Sequence, residues 1–232
     1  MVGSYGYPGL IEMQIRAIRR YAGDVPILIS DDRSPDGGWE RIQALACQYP
    51  GVDVHVALSR IGHSGGDMAA FARGIMWAKD RGIRYLAKLS HRFVVTRPRW
   101  LQEGARALAK TGRPLAGQPC VEHPFQFPLR TEACLLDVDR WHNPDVLAHL
   151  APRPVGMACE LIMHHVCTEV IKEEMAPWDL FTKDRFERVP GVLWHCANGI
   201  HDYNQLAEKL GVVLDSDFHT GGNHLRSDYI TG

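Results

Sequence analysis

Apolar residues in the first half of the chain alternate between helical and strand-like patterns. Residues 10–21 place apolar side chains three and four positions apart, which predicts a helix. Residues 25–30 form a continuous apolar run, typical of a strand buried on both faces of a parallel sheet. The pattern then predicts a helix over 39–49, a strand over 52–58, a helix over 68–80, a strand over 85–89 and a helix over 96–110. This order predicts an α/β fold with a mostly parallel central sheet flanked by helices.

The second half is less regular, and residues 1–4 are too short for an ordinary core strand. We expect either a start further upstream or a strand reduced to a stub. The remaining predictions are a loop over 119–129, a strand over 133–137, a helix over 157–169, a strand over 190–195, a helix over 203–210 and a polar tail over 215–232.

Composition narrows the class of protein. The net charge of −1 lacks the basic excess typical of a nucleic-acid binder, so we expect no nucleic-acid partner. The 6 cysteines contain no Cys-x-x-Cys pair, which favours reduced, mostly buried thiols and a cytoplasmic protein. No signal peptide is visible, and no apolar run is long enough to span a membrane.

Polar residues follow two of the predicted strands. Asp31 and Asp32 end the strand over 25–30, and Ser90-His91-Arg92 ends the strand over 85–89. Ligands of open α/β sheets bind outside the carboxyl ends of the strands, so these residues are candidates for a binding site. The two acids also suit a side-chain-capped turn, but their place after a buried strand favours ligand binding.

Five segments carry a family resemblance in their order and spacing. They are Ser4-Tyr5-Gly6, Ser30-Asp31-Asp32-Arg33-Ser34, the helix 66–74 with Gly66, Ala70 and Gly74, the strand end 89–92, and Pro98-Arg99-Trp100. Together they resemble the inverting family 2 glycosyltransferases of the GT-A fold. The resemblance is close over the first half of the chain and loose over the second.

The resemblance implies a single domain over 1–232, with a nucleotide-sugar half over about 1–110 and an acceptor half over about 111–232. It implies hexosyl transfer from a nucleotide-sugar to a glycan, lipid-linked or small-molecule acceptor, in polysaccharide or glycoconjugate biosynthesis. Donor-binding positions would be Ser4, Tyr5, Asp31, Asp32, Ser34, Asp67, Ser90 and His91. Glu160 matches the catalytic base, although Leu161 stands where a second acid is usual, and Asp137 and Asp139 are reserve candidates.

The family's metal-binding Asp-x-Asp is replaced here by Ser90-His91-Arg92. In one interpretation Arg92, helped by Lys88, neutralises the leaving diphosphate in place of a metal. In another, the chain binds a nucleotide-sugar without turning it over. In a third, Arg92 is an ordinary surface residue. No metal is required by the sequence, but Mn²⁺ or Mg²⁺ remains compatible with the fold.

The carboxyl-terminal segment offers a different metal-binding hypothesis. If extended, Asp215, Asp217 and His219 lie on one face, with ligands suited to Mn²⁺. Members of the GT-A fold often take one metal ligand from a carboxyl-terminal histidine. In this chain the resemblance offers His219 or His195 for that role. This cluster would support a metal-dependent hydrolase, and the alternative is a solvated polar tail.

Overall fold

The structure is a computed structural model that describes residues 1–119, 129–151, 158–178, 188–195, 197–215 and 218. The chain divides into two compact units. The first unit comprises Val2–Arg60, Ser90–Pro98 and Arg185–Gly232, and the second comprises Met1, Ile61–Leu89 and Arg99–Asp184.

Strands and helices alternate through most of the chain. In order they are β1 (Val2–Ser4), α1 (Pro8–Ala22), β2 (Ile27–Asp31), α2 (Gly38–Gln48), β3 (Val52–Val56), α3 (His63–Asp80), β4 (Tyr85–Ser90), β5 (Phe93–Val95), α4 (Trp100–Thr111), β6 (Leu115–Pro119), β7 (Leu129–Asp137), α5 (Val138–Trp141), α6 (Pro144–His149), α7 (Cys159–His165), a π-helix (Val166–Ile171), β8 (Ala176–Pro177), β9 (Val192–Trp194) and α8 (Ile200–Leu210).

The central sheet has seven strands in the order β3-β2-β1-β4-β7-β6-β8, and β5 pairs with β9 in a separate ribbon. Strands β1, β2 and β3 run parallel, as do β6 and β8, while β7 is antiparallel to β4 and β6. The predicted α/β class, with a mostly parallel sheet flanked by helices, is confirmed. The division near residue 110 stays a prediction.

In the first unit, α1 supplies one side of a hydrophobic core. Its buried face packs against apolar residues of β5 and α8 and against Phe218 of the carboxyl-terminal segment. The buried members are Leu10, Met13, Ala17, Val94, Tyr203, Leu206, Ala207, Val212 and Phe218. The three- and four-residue spacing of Leu10, Met13 and Ala17 is the helical period seen in the sequence.

In the second unit, small residues let helices approach their neighbours closely. A Cβ on Gly104 of α4 would lie 2.8 Å from the Trp178 ring, which itself stacks on Trp100. A Cβ on Gly74 of α3 would meet Leu86 at 3.0 Å. Both glycines are therefore required by packing, as expected for the small residues of the helix around Gly74.

Several predicted boundaries were wrong. Helix α3 begins at His63, capped by Gly62, so Asp67 lies inside the helix and does not cap it. Helix α4 begins only at Trp100, because Arg99 adopts a left-handed φ of 65° that is incompatible with the helix. The predicted helix over 157–169 is α7 followed by a π-helix, and α8 begins at Ile200.

Strand β1 spans three buried residues and pairs with β2, in agreement with the short strand considered from the sequence. The predicted loop over 119–129 falls largely outside the described residues. Within the part of the chain that is described, no helix is both long enough and apolar enough to cross a membrane.

Candidate functional site

The end of β2 is organised around the carboxylate of Asp31. This side chain is fully buried and accepts hydrogen bonds from the Ser34 backbone N–H at 2.8 Å and the Ser34 hydroxyl at 2.5 Å. A buried charge is costly unless it is hydrogen-bonded, so these contacts hold the turn closed. Arg33 within the turn adopts a left-handed φ of 64°. The Asp31 carboxylate is therefore used by the turn itself. Asp32, the next residue, is also largely buried.

The loop after β1 lies against this turn. The Gly6 N–H donates to the Ser34 hydroxyl at 2.7 Å, and the Asp32 N–H donates to the Ser4 carbonyl at 2.9 Å. The guanidinium of Arg60 lies 4.1 Å from the centre of the Tyr5 ring. The predicted donor-binding residues of the first two loops are thus in direct contact with one another.

Tyr7 joins that loop to the end of β4. Its backbone is left-handed at φ 52°, an unusual conformation for an aromatic residue. Its ring lies 6.3 Å from the His91 ring, with the two planes 25° apart, and 5.3 Å from the guanidinium carbon of Arg92. His91 and Arg92 therefore share one aromatic neighbour, and the structure brings all three polar strand ends of the first unit together.

Unsatisfied polar atoms mark this cluster. Ser4 Oγ, Ser90 Oγ and Arg92 Nε are all buried, and within the described part of the chain none has a hydrogen-bond partner. Such groups carry a desolvation cost that a ligand with hydrogen-bonding atoms would remove. A hydroxyl and a guanidinium both suit phosphate oxygens as partners.

Lys88 and Asp67 form an ion pair in the second unit. The Lys88 ammonium is fully buried, lies 3.1 Å from Asp67 Oδ1 and donates to the Thr131 carbonyl at 3.1 Å. Desolvation alone would lower the pKa of Lys88, but the charge of Asp67 and its hydrogen bond to the ammonium raise it above its ordinary value. Lys88 therefore stays charged and is committed to Asp67.

Buried thiols surround this ion pair. Burial raises the pKa of Cys134 to about 12 and raises the pKa of Cys159 well above its usual range. Cys134, Cys159 and Cys167 are free and buried, as predicted, while Cys47 is exposed. Protonated, buried thiols are poor nucleophiles and poor metal ligands.

Glu160, the predicted base, is the second residue of α7, where a carboxylate is favoured by the helix dipole. Its Oε1 accepts a hydrogen bond from the Thr131 hydroxyl at 3.2 Å. A second acid, Glu132 of β7, interacts electrostatically with Glu160. Burial, and then the charge of Glu160, raise the pKa of Glu132, although Arg130 lies 3.2 Å from its Oε1. Burial and the charge of Glu160 therefore favour the protonated form of Glu132.

In the sequence, Leu161 stands beside Glu160 where a second acid is usual, and in the structure β7 provides an acid, Glu132, that interacts with the charge of Glu160. Thr131 and Glu132 are neighbours on β7: Thr131 donates a hydrogen bond to Glu160, and Glu132 interacts with the charge of Glu160. In the sequence, Glu132 is visible only as an acid directly before the predicted strand over 133–137. The reserve acids Asp137 and Asp139 instead pair with Arg84 and Lys79.

The metal-binding hypothesis for the carboxyl-terminal segment is tested only at Asp215. Its Oδ2 accepts from the Gly9 N–H at 2.8 Å, and its Oδ1 lies 3.1 Å from Arg41. Asp217 and His219 lie outside the described residues. Among the residues with described positions, no group of three His, Cys, Asp or Glu side chains could hold a metal ion.

No family model and no curated protein matches the chain. Several solved structures do match it, and two of them cover most of this chain. One is the mannosyltransferase PcManGT from Pyrobaculum calidifontis in complex with GDP-Man and Mn²⁺, with 12% identity, a TM-score of 0.52, and 77% of this chain and 55% of that chain covered. The other is S. aureus TarS 1-349, with 8% identity, a TM-score of 0.54, and 90% and 62% covered.

The chain shares its fold with these two proteins, one of which is a mannosyltransferase. At these identities the likeness concerns the fold alone. The chain spans little more than half the length of the two matched proteins.

Removal of Lys88 should destabilise the second unit strongly. We expect Lys88→Met to lower the free energy of unfolding by about 3 kcal/mol, because it leaves the Asp67 carboxylate without its ammonium partner. Urea unfolding followed by tryptophan fluorescence measures this, and the double variant with Asp67→Asn should recover part of the loss.

A matched control is the exposed pair of Lys79 and Asp139, whose side chains are 45% and 60% exposed. Lys79→Met should cost much less stability than Lys88→Met, because solvent already screens the exposed pair. Equal losses in the two lysine variants would contradict the structural role assigned to Lys88.

Glu132→Gln should stabilise the protein at pH 8 and have little effect at pH 4. A raised carboxyl pKa means that the folded state binds more protons than the unfolded state, so wild-type stability falls as pH rises through that pKa. The Gln side chain removes this dependence. Unfolding at both pH values measures the difference, with Glu208→Gln on the exposed face of α8 as the control. A variant destabilised equally at both pH values would contradict the raised pKa.

Proposed function

We propose that the chain transfers a sugar from a nucleoside-diphosphate donor to an acceptor hydroxyl, with inversion at the anomeric carbon. The observation that carries the proposal is the contact of Tyr7 with both His91 and Arg92, in a loop hydrogen-bonded to the Asp31 turn. Three strand ends of a glycosyltransferase fold thereby form one polar cluster in the first unit. The relative solved with GDP-Man supports a nucleotide-sugar as the donor class.

In the proposed reaction the base removes the acceptor hydroxyl proton, and the acceptor oxygen bonds to the anomeric carbon. The bond from that carbon to the diphosphate breaks, and the nucleoside diphosphate leaves with the electron pair. Glu160 takes the role of the base, and its carboxylate is oriented by the hydrogen bond from Thr131. Arg92 stabilises the charge that develops on the leaving diphosphate.

Donor binding is assigned to the predicted residues of the first unit. Asp32, Ser4 and Tyr5 would contact the nucleoside, and Ser90, His91 and Arg92 would contact the diphosphate. Asp31 and Ser34 act through the turn that they close. Asp67, predicted to lie near the nucleotide, would act through its ion pair with Lys88.

A divalent cation does not fit the end of β4. The relative from Pyrobaculum calidifontis was solved with Mn²⁺, but this strand end offers a hydroxyl, an imidazole and a guanidinium in place of paired carboxylates. Hard divalent cations prefer carboxylate oxygens, and a guanidinium repels them. We therefore propose that transfer proceeds without a metal at this position.

The same substitution favours a second candidate function, a nucleotide-sugar-binding module without catalysis. A strand end without carboxylates loses the metal-based mechanism, and a chain that has lost it can keep donor binding. The two candidates differ in one property, since the module binds donor without consuming it in the presence of any acceptor.

Arg92→Ala should lower kcat/KM for donor consumption by about a hundredfold or more, because it removes the charge opposite the leaving diphosphate. Arg92→Lys should recover only part, since an ammonium cannot form the paired hydrogen bonds of a guanidinium. The assay follows hydrolysis and transfer over a panel of nucleotide-sugars, each with Mn²⁺ and with EDTA.

Arg20→Ala is the matched control. Arg20 lies in the last turn of α1, and its guanidinium also lies over a tyrosine ring, 5.8 Å from the centre of Tyr21. Turnover that survives EDTA and depends on Arg92 supports the proposal. Donor binding without turnover under both conditions supports the binding module, and turnover independent of Arg92 contradicts both the role and the mechanism.

A further inference from the structure

The turn that carries His91 and Arg92 is held from inside the first unit by a single amide. Gln14 of α1 is 1% exposed, and its Nε2 donates to the Ser90 carbonyl at 2.8 Å and to the Phe93 carbonyl at 2.9 Å. Both amide hydrogens are used, and they bind the two ends of a four-residue segment. The position of that segment is therefore fixed relative to α1.

The turn needs such support because the chain changes sheets there. Strand β4 belongs to the central sheet, whereas β5 pairs with β9 in the separate ribbon. Side chains donate to three of the four carbonyls of this segment. Gln14 donates to those of Ser90 and Phe93, and the Tyr203 hydroxyl donates to that of Arg92.

Stability alone does not account for Gln14. Its neighbours on the buried face of α1 are Leu10, Met13 and Ala17, which form hydrophobic core. The Gln14 Oε1 is buried and has no hydrogen-bond partner in the described part of the chain. A buried oxygen without a hydrogen-bond partner lowers the stability of a core. The amide of Gln14 therefore has this destabilising oxygen together with its two donated hydrogen bonds.

We infer that Gln14 is a positioning residue for the donor diphosphate: it fixes the backbone of the turn so that His91 and Arg92 keep their places beside Tyr7. The inference rests on the proposed function. Directional hydrogen bonds to phosphate lose strength quickly when the donor moves, and a binding shell held by packed residues is the usual remedy. Tyr203 contributes the same kind of support from α8.

The experiment compares binding of UDP with UMP, and of GDP with GMP, by titration calorimetry. The ratio of diphosphate to monophosphate affinity measures the contribution of the second phosphate to binding. Changes in nucleoside binding affect both ligands equally and cancel in the ratio. Wild-type protein should prefer the diphosphate. Gln14→Met, similar in volume but without donors, should lose about tenfold of that preference. Tyr203→Phe, a smaller change that keeps the buried ring, should lose less.

Ile15→Ala is the control, since Ile15 is a fully buried neighbour on α1 and its truncation destabilises the helix packing without removing a donor to the turn. It should keep the wild-type ratio. A Gln14→Met or Tyr203→Phe variant with the wild-type ratio would overturn the inference while leaving the proposed function intact. A wild-type protein that does not prefer either diphosphate would overturn both.

Discussion

A buried carboxylate sets the geometry of the candidate site. Asp31 lies at the end of β2 with no access to solvent, so its charge must be satisfied within the protein. Ser34 satisfies it twice and then accepts a hydrogen bond from Gly6, which fixes the loop that carries Tyr7. Tyr7 in turn lies against Arg92. One desolvated charge is thereby linked to the side chain that we assign to the diphosphate.

The second unit solves a similar problem with an ion pair. Lys88 is fully buried on β4, and Asp67 provides the counter-charge from α3. The sequence interpretation gave Lys88 a share in phosphate binding, but its ammonium is directed to Asp67 and the Thr131 carbonyl. Thr131 also contacts Glu160 through its hydroxyl, so the buried pair and the proposed base share a strand. Of the two cations on β4 and the turn after it, Lys88 is paired with Asp67, and we assign Arg92 to the donor.

The strands that carry the site could be predicted, because β2 begins with an apolar run, β4 begins with a run that is apolar except for Lys88, and polar residues follow each run. Strand β5 could not, because three residues that pair only with distant β9 leave no local pattern. Gln14 looked like one polar residue in a helix, since its carbonyl partners lie 76 and 79 positions away. Glu132 was missed for the same reason, because its coupling to Glu160 depends on tertiary structure.

The central claim is that a guanidinium, in place of a metal held by carboxylates, receives the donor diphosphate. A crystal structure of the chain with UDP or GDP, grown in EDTA, tests it most directly. We predict both phosphates beside the Ser90–Arg92 segment, with Arg92 within hydrogen-bonding distance of their oxygens. Phosphates bound away from Arg92, or nucleotide bound only when Mn²⁺ bridges it to the protein, would contradict the account.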